Sequence, residues 1–156
     1  TKDSIHHFTE TITPTNAIPT KVFSGFRKAC HDLYKFASKT EKDLAIILEN
    51  DKAILKWLRP AQRQFHIYWR HNSKQYYPDF VAETEEGIYM IETKKEGAIE
   101  DVDVQEKSTA AIQYCKHATK FTTQSGGKPW KYILIPHNAV QGNMSFSYFV
   151  RAYEQN

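Results

Sequence analysis

The sequence predicts an α/β fold: a mixed β-sheet of four or five strands flanked by helices, in the order α-β-β-β-α-β-α. The first observation behind this is residues 75–94, which read as two apolar runs around the polar turn Glu85-Glu86-Gly87. The second is that both runs are apolar on both alternating faces, with Val81, Ile88 and Met90 on one and Phe80, Tyr89 and Ile91 on the other. Strands of that kind belong in the centre of a sheet that is covered on both sides. The third is a helical period on either side, in Leu44, Ile47 and Leu48 before the hairpin and in Ala111, Cys115 and Ala118 after it.

A chain of 156 residues, 40% hydrophobic and 25% charged, fits one globular domain with its own core. Its 9 tyrosines, 9 phenylalanines and 3 tryptophans exclude a disordered tail. A formal charge of +3 permits a polyanionic partner without demanding one. Cys30 and Cys115 are too few for a disulfide framework, which points to a reducing cytoplasm. No apolar run approaches the ~20 residues of a membrane span, so no membrane association is expected, and no signal-peptide pattern is visible. A start at Thr1 rather than Met suggests a piece of a longer protein.

Residues 1–20, rich in Thr with Pro14 and Pro19, read as an extended arm or linker, leaving residues 21–156 as the single domain. Residues 22–36 are apolar without a clear period and should pack on the core. Ser38-Lys39-Thr40-Glu41 is a capping-box pattern that opens a helix ending near Asn50-Asp51. Ile54, Leu55, Trp57 and Leu58 form a second short apolar segment. Phe65–Trp69 is a strand, turned by residues 70–74 into a second strand over Tyr76–Glu83 and then a third over Ile88–Lys94, an antiparallel meander. Residues 95–103 are an acidic loop. A helix follows from Val104, then a strand over Trp130–Ile135 stopped by Pro136, and a final short helix carrying Phe146, Phe149, Val150 and Tyr153.

The hairpin also carries chemistry. A midpoint between Glu85 and Glu86 sets Asp79 opposite Glu92. Directly opposed side chains stand about 5 Å apart, and like charges there destabilise the pair. Lys94 shares the face of Glu92, because strand side chains alternate. Charges in a central strand cost several kcal/mol each unless paired or bound to metal. Two carboxylates and a lysine on one face suit a hard divalent cation such as Mg²⁺, which takes one or two carboxylates and keeps several waters. The competing reading is two solvated strand ends with an incidental ion pair.

Tyr77-Pro78-Asp79-Phe80 followed by Ile91-Glu92-Thr93-Lys94 resembles the signature of the PD-(D/E)xK nuclease superfamily. More specifically, the chain looks like the C-terminal endonuclease domain of type III restriction enzyme subunits and related helicase-nuclease proteins. Ser38-x-x-Glu41, Trp57-Leu58-Arg59-Pro60, the helix around Lys107 and Ala110-Ala111, and Tyr132–Pro136 extend the resemblance over roughly residues 22–150. It departs from the simplest family pattern after Lys94, where Lys95-Glu96-Gly97 replaces an immediate glycine.

The resemblance implies a restriction-endonuclease-like fold and Mg²⁺- or Mn²⁺-dependent DNA cleavage. Asp79 and Glu92 match the metal-binding acidic pair, with the Thr93 backbone carbonyl completing the shell. Lys94 matches the lysine that positions or deprotonates the attacking water. Glu41 matches the acidic residue of the first helix that supports the metal, although it reads equally as the partner in its capping box; Glu49 is a weaker substitute. The resemblance further implies an ATP-dependent helicase motor in the parent chain, since this one has no phosphate-binding loop, and a DNA-modification methyltransferase subunit as partner. Gln105 and Lys107, at a helix start, and Arg59, Arg63, Arg70, His71 and Lys74 are candidate DNA contacts, each of which also reads as an ordinary solvated side chain. Gly126-Gly127-Lys128 lacks the spacing of a phosphate loop. Cys30-His31 with Cys115 and His117 could hold zinc only if the fold gathered them. Two other classes remain open: a catalytically inactive DNA-binding or docking module on a nuclease scaffold, and a structural domain in which Glu92 and Lys94 form a plain ion pair.

Overall fold

The computed structural model describes residues 5–61, 64, 65, 67–70 and 74–156. In chain order the elements are β1 (Ile5–His7), β2 (Val22–Ser24), α1 (Lys39–Asn50), β3 (Lys56–Leu58), β4 (Ile67–Trp69), β5 (Lys74–Tyr76), β6 (Phe80–Glu83), β7 (Ile88–Lys94), α2 (Val102–Thr123), β8 (Trp130–Pro136), α3 (Phe146–Tyr153) and β9 (Glu154–Gln155). Five of the strands form one mixed sheet in the order β3-β6-β7-β8-β9, so the fold is mixed α/β as expected. Strand β7 lies at its centre, antiparallel to β6 and parallel to β8.

The β6–β7 register is the one implied by a turn at Glu85-Glu86: Phe80 pairs with Ile91, Val81 with Met90, Ala82 with Tyr89 and Glu83 with Ile88. Thr84 holds the turn, its hydroxyl accepting from the N–H of both Glu86 and Gly87 at 3.2 Å. The alternation sorts as expected. Phe80, Tyr89 and Ile91 join a core with α1 and α3 residues, including Leu44, Leu48, Phe146 and Phe149. Val81 and Met90 join a second core with Val104, Ala111 and Cys115 of α2. Both faces of the centre are therefore dry.

The sequence expectation differs from the structure in three places. The third strand of the meander is Lys56–Leu58, which pairs with β6, and not Phe65–Trp69. Strands β4 and β5 instead form a separate two-stranded antiparallel ribbon. The strand expected over Tyr76–Glu83 is broken at Tyr77–Asp79 into β5 and β6. Pro78 accounts for the break, since it offers no N–H to a ladder and restricts the residue before it. Residues 5–20 are not an extended arm. β1 pairs in parallel with β2, and Ile12 and Ile18 are buried in the first core.

The helices follow their signals. Ser38 is the N-cap of α1, its Oγ accepting from the Glu41 N–H at 3.2 Å, and Asp51 is the C-cap. α3 begins at the N-cap Ser145 and buries Phe146 and Phe149. Among the described residues no helix is long and apolar enough to cross a membrane.

Candidate active site

The break at Tyr77–Asp79 does more than end a strand. It leaves Asp79 one residue beyond the last β6–β7 rung, Phe80 with Ile91, at the level of Glu92. Asp79 Oδ2 accepts from the Thr93 N–H at 2.9 Å and from the Thr93 hydroxyl at 3.1 Å. Glu92 is buried, 7% exposed, and its Oε2 accepts from the Tyr76 hydroxyl at 2.7 Å. Burial first, then the charge and hydrogen bonding of Asp79, push the Glu92 carboxyl well above the usual carboxylate range; Tyr76 and the Lys94 ammonium pull the other way. Tyr76 and Tyr132 are both buried in the second core. Burial raises both phenols, so both stay protonated.

Asp79, Glu92, Thr93 and Lys94 open into one cleft of about 400 Å³. Ala37, Ser38 and Glu41 at the start of α1, and Lys95, Ala98 and His137, complete its lining. The structure thus gathers four of the expected site residues at the end of the central strand.

Glu41 lines the cleft but is committed elsewhere. Its Oε1 accepts from Arg59 at 2.5 Å and from the Ala37 N–H at 3.0 Å, so the reciprocal limb of the capping box lands on Ala37. Arg59 in turn lies over the Phe36 and Phe80 rings, 5.3 and 5.1 Å from their centroids. A cation held on two aromatic faces thus engages the Glu41 carboxylate at the edge of the cleft. Arg59 itself does not line the cleft. Glu49 does not line the cleft. Its buried carboxylate accepts from the N–H of Arg27 and Lys28 and from Trp57 Nε1, at 2.8, 3.1 and 3.1 Å, and has a structural role.

None of the four remaining DNA-contact candidates in the described residues lines the cleft. Gln105 Nε2 donates to the Ile99 carbonyl at 2.6 Å. Lys107 lies 4.9 Å from the Trp69 ring centroid, with Arg70 at 4.7 Å on the same indole. Arg70 is also paired with Asp103 and Glu106 on the first turns of α2. Lys74 is exposed on β5. Arg63 and His71 lie outside the described residues.

The cleft residue His137 and the buried Tyr76 that bonds Glu92 are not evident in the sequence. His137 follows Pro136, which pairs with Lys94 in the parallel β7–β8 ladder, so His137 comes level with Lys95. Ligands collect at the carboxyl ends of parallel strands, and recognising β8 as parallel to β7 would have found it. Tyr76 is hidden because the sequence reads as one continuous strand from Tyr76 through Asp79.

The donor set bears on which cation could be held. Among the described residues no group of three or more His, Cys, Asp or Glu side chains gathers to hold a metal ion. Cys115 is buried with its Sγ 3.7 Å from Met90 Sδ, and burial pushes its thiol up to about 12, so the zinc alternative fails. Two carboxylates beside an open cleft still fit a cation that takes one or two carboxylates and keeps its waters, as Mg²⁺ does. Asp79 and Glu92 would hold it, with the Thr93 carbonyl as the candidate third oxygen. Chemically, the pair offers hard oxygen ligands to a cation, and Lys94 offers an ammonium two residues along the same strand. Compared with known proteins, the chain matches no family model and no curated protein.

Proposed function

We propose that this domain hydrolyses phosphodiester bonds in DNA with Mg²⁺ or Mn²⁺, as a nuclease of the PD-(D/E)xK type. The observation that carries the reading is the juxtaposition of Asp79 with the buried Glu92 at the end of the central strand, each with its own donor and with Lys94 on the same strand. A fold gains nothing in stability from two neighbouring carboxylates, one of them dry. Such a pair is expected where a cation is to be held. The bound cation would supply Lewis-acid polarisation of the scissile phosphate.

The chain's own groups do the rest. Thr93 fixes Asp79 and Tyr76 fixes Glu92, so both carboxylates are oriented before any ligand arrives. The Lys94 ammonium orients the attacking water and offsets charge as it develops on the phosphoryl oxygens. His137 and Lys95, which also line the cleft, add positive charge or hydrogen-bond donors for the flanking phosphates.

The family resemblance extends this proposal to a helicase motor elsewhere in the parent protein and to a methyltransferase subunit as partner. Cys30 and Cys115 are both free thiols, which supports a cytoplasmic setting.

The test is nicking of supercoiled plasmid with Mg²⁺ by the chain and by its Lys94→Ala and Asp79→Asn variants, with DNA binding measured in parallel. Loss of nicking with binding retained is expected. Nicking that survives both substitutions would overturn the assignment.

A further inference from the structure

A metal pair of Asp79 and Glu92 leaves the Tyr76 hydroxyl unexplained, and any role for Tyr76 at the metal rests on that pair being one. Tyr76 ends β5, which belongs to the two-stranded ribbon and not to the sheet that carries Glu92. Its ring is 4% exposed and packs in the second core with Val81, Met90 and Tyr132. A phenylalanine would fill that place as well, so packing does not account for the hydroxyl. A buried phenol needs a partner, and this one donates to Glu92 Oε2 at 2.7 Å. Among the described residues no other hydroxyl and no N–H donates to that carboxylate. Tyr132, on β8, lies in the same core with its hydroxyl near the phenol.

We propose that Tyr76 is a positioning residue for the metal site, through which the β4–β5 ribbon sets the orientation of Glu92. With Oε2 held by the phenol, Oε1 is the oxygen presented to the cation, and Glu92 binds through a single oxygen. The ribbon is itself anchored on α2, where Lys107 lies on the Trp69 ring and Asp103 and Glu106 pair with Arg70. A displacement of the ribbon therefore reaches a metal ligand through one hydrogen bond. Partners that orient a ligand in this way typically carry about 10–100-fold in metal affinity.

The experiment is calorimetric titration of Mn²⁺ into the metal-free chain and its Tyr76→Phe, Tyr132→Phe and Glu92→Gln variants. The activation constant for Mn²⁺ in plasmid nicking is measured alongside. Expected are a Kd about tenfold or more weaker for Tyr76→Phe, a smaller loss for Tyr132→Phe and no binding for Glu92→Gln. The activation constant should shift with Kd while the rate at saturating Mn²⁺ is largely recovered. If Glu92→Gln abolishes binding but Tyr76→Phe leaves Kd unchanged, the positioning role is overturned and the metal site stands. If the unsubstituted chain binds no Mn²⁺, both fall together. Should Tyr76→Phe not fold, Tyr132→Phe decides alone, and an unchanged Kd overturns the role.

Discussion

Asp79 Oδ2 accepts two hydrogen bonds from Thr93, one from its N–H and one from its hydroxyl, at 2.9 and 3.1 Å. The backbone donor comes with any residue at that position, but the hydroxyl does not. Thr93→Val keeps the branched shape and removes only the second donor. We expect a stability loss of about 1 kcal/mol and a several-fold weaker Mn²⁺ Kd, read by denaturant unfolding and calorimetry. Unchanged metal affinity would show that Asp79 is oriented by the backbone alone.

Glu92 makes metal-free stability depend on pH with a defined sign. Its folded-state carboxyl lies well above the usual range because of burial and then Asp79. Its contribution is therefore fully present below the unfolded value of about 4.3 and is lost as pH rises through the raised folded value. The amide of Glu92→Gln imitates the protonated carboxyl and does not titrate. In chelator, the stability of the variant relative to the parent should climb with pH across that window, by at most about 1.4 kcal/mol per pH unit. Added Mg²⁺ should close the gap by stabilising the ionised parent only. Parallel stability curves from about pH 5 to 9 would contradict this.

Glu41 and Arg59 should be coupled to each other and not to the metal pair. They meet at 2.5 Å with side chains only 12% and 21% exposed. A double-mutant cycle on stability should give a coupling above about 1 kcal/mol for Glu41 with Arg59 and near zero for Glu41 with Glu92. The reverse pattern would make Glu41 part of the metal site.

Glu49 is expected to matter for folding alone. Glu49→Ala orphans the N–H groups of Arg27 and Lys28 and the Trp57 indole, which should cost about 3 kcal/mol or more. Chemical denaturation measures this. Mn²⁺ affinity of the folded fraction should be unaffected, and a weakened Kd would contradict a purely structural role.

Much of this arrangement was legible in the residues. The turn at Glu85-Glu86, the two apolar faces of Val81 through Ile91 and the cap at Ser38 are local signals, and the hairpin register followed from them. That register was enough to set Asp79 level with Glu92. Pairings between distant segments were not legible. Nothing in Lys56–Leu58 announces that it displaces Ile67–Trp69 beside β6, because each is a short apolar run whose partner is chosen by tertiary packing. The irregular spacing of Phe8, Ile12 and Ile18 likewise hid their part in the core. His137 and Tyr76 reach the site through the β7–β8 pairing and the ribbon, and Glu41 meets Arg59, which arrives from another segment.

A crystal grown with Mn²⁺, with anomalous scattering measured near the manganese edge, decides whether Asp79 and Glu92 together hold a divalent cation. One strong peak is expected between the two carboxylates, at about 2.0–2.2 Å from an oxygen of each, and it should be lost in Glu92→Gln. An Asp79–Glu92 pair without an anomalous peak at saturating Mn²⁺ would contradict the metal site.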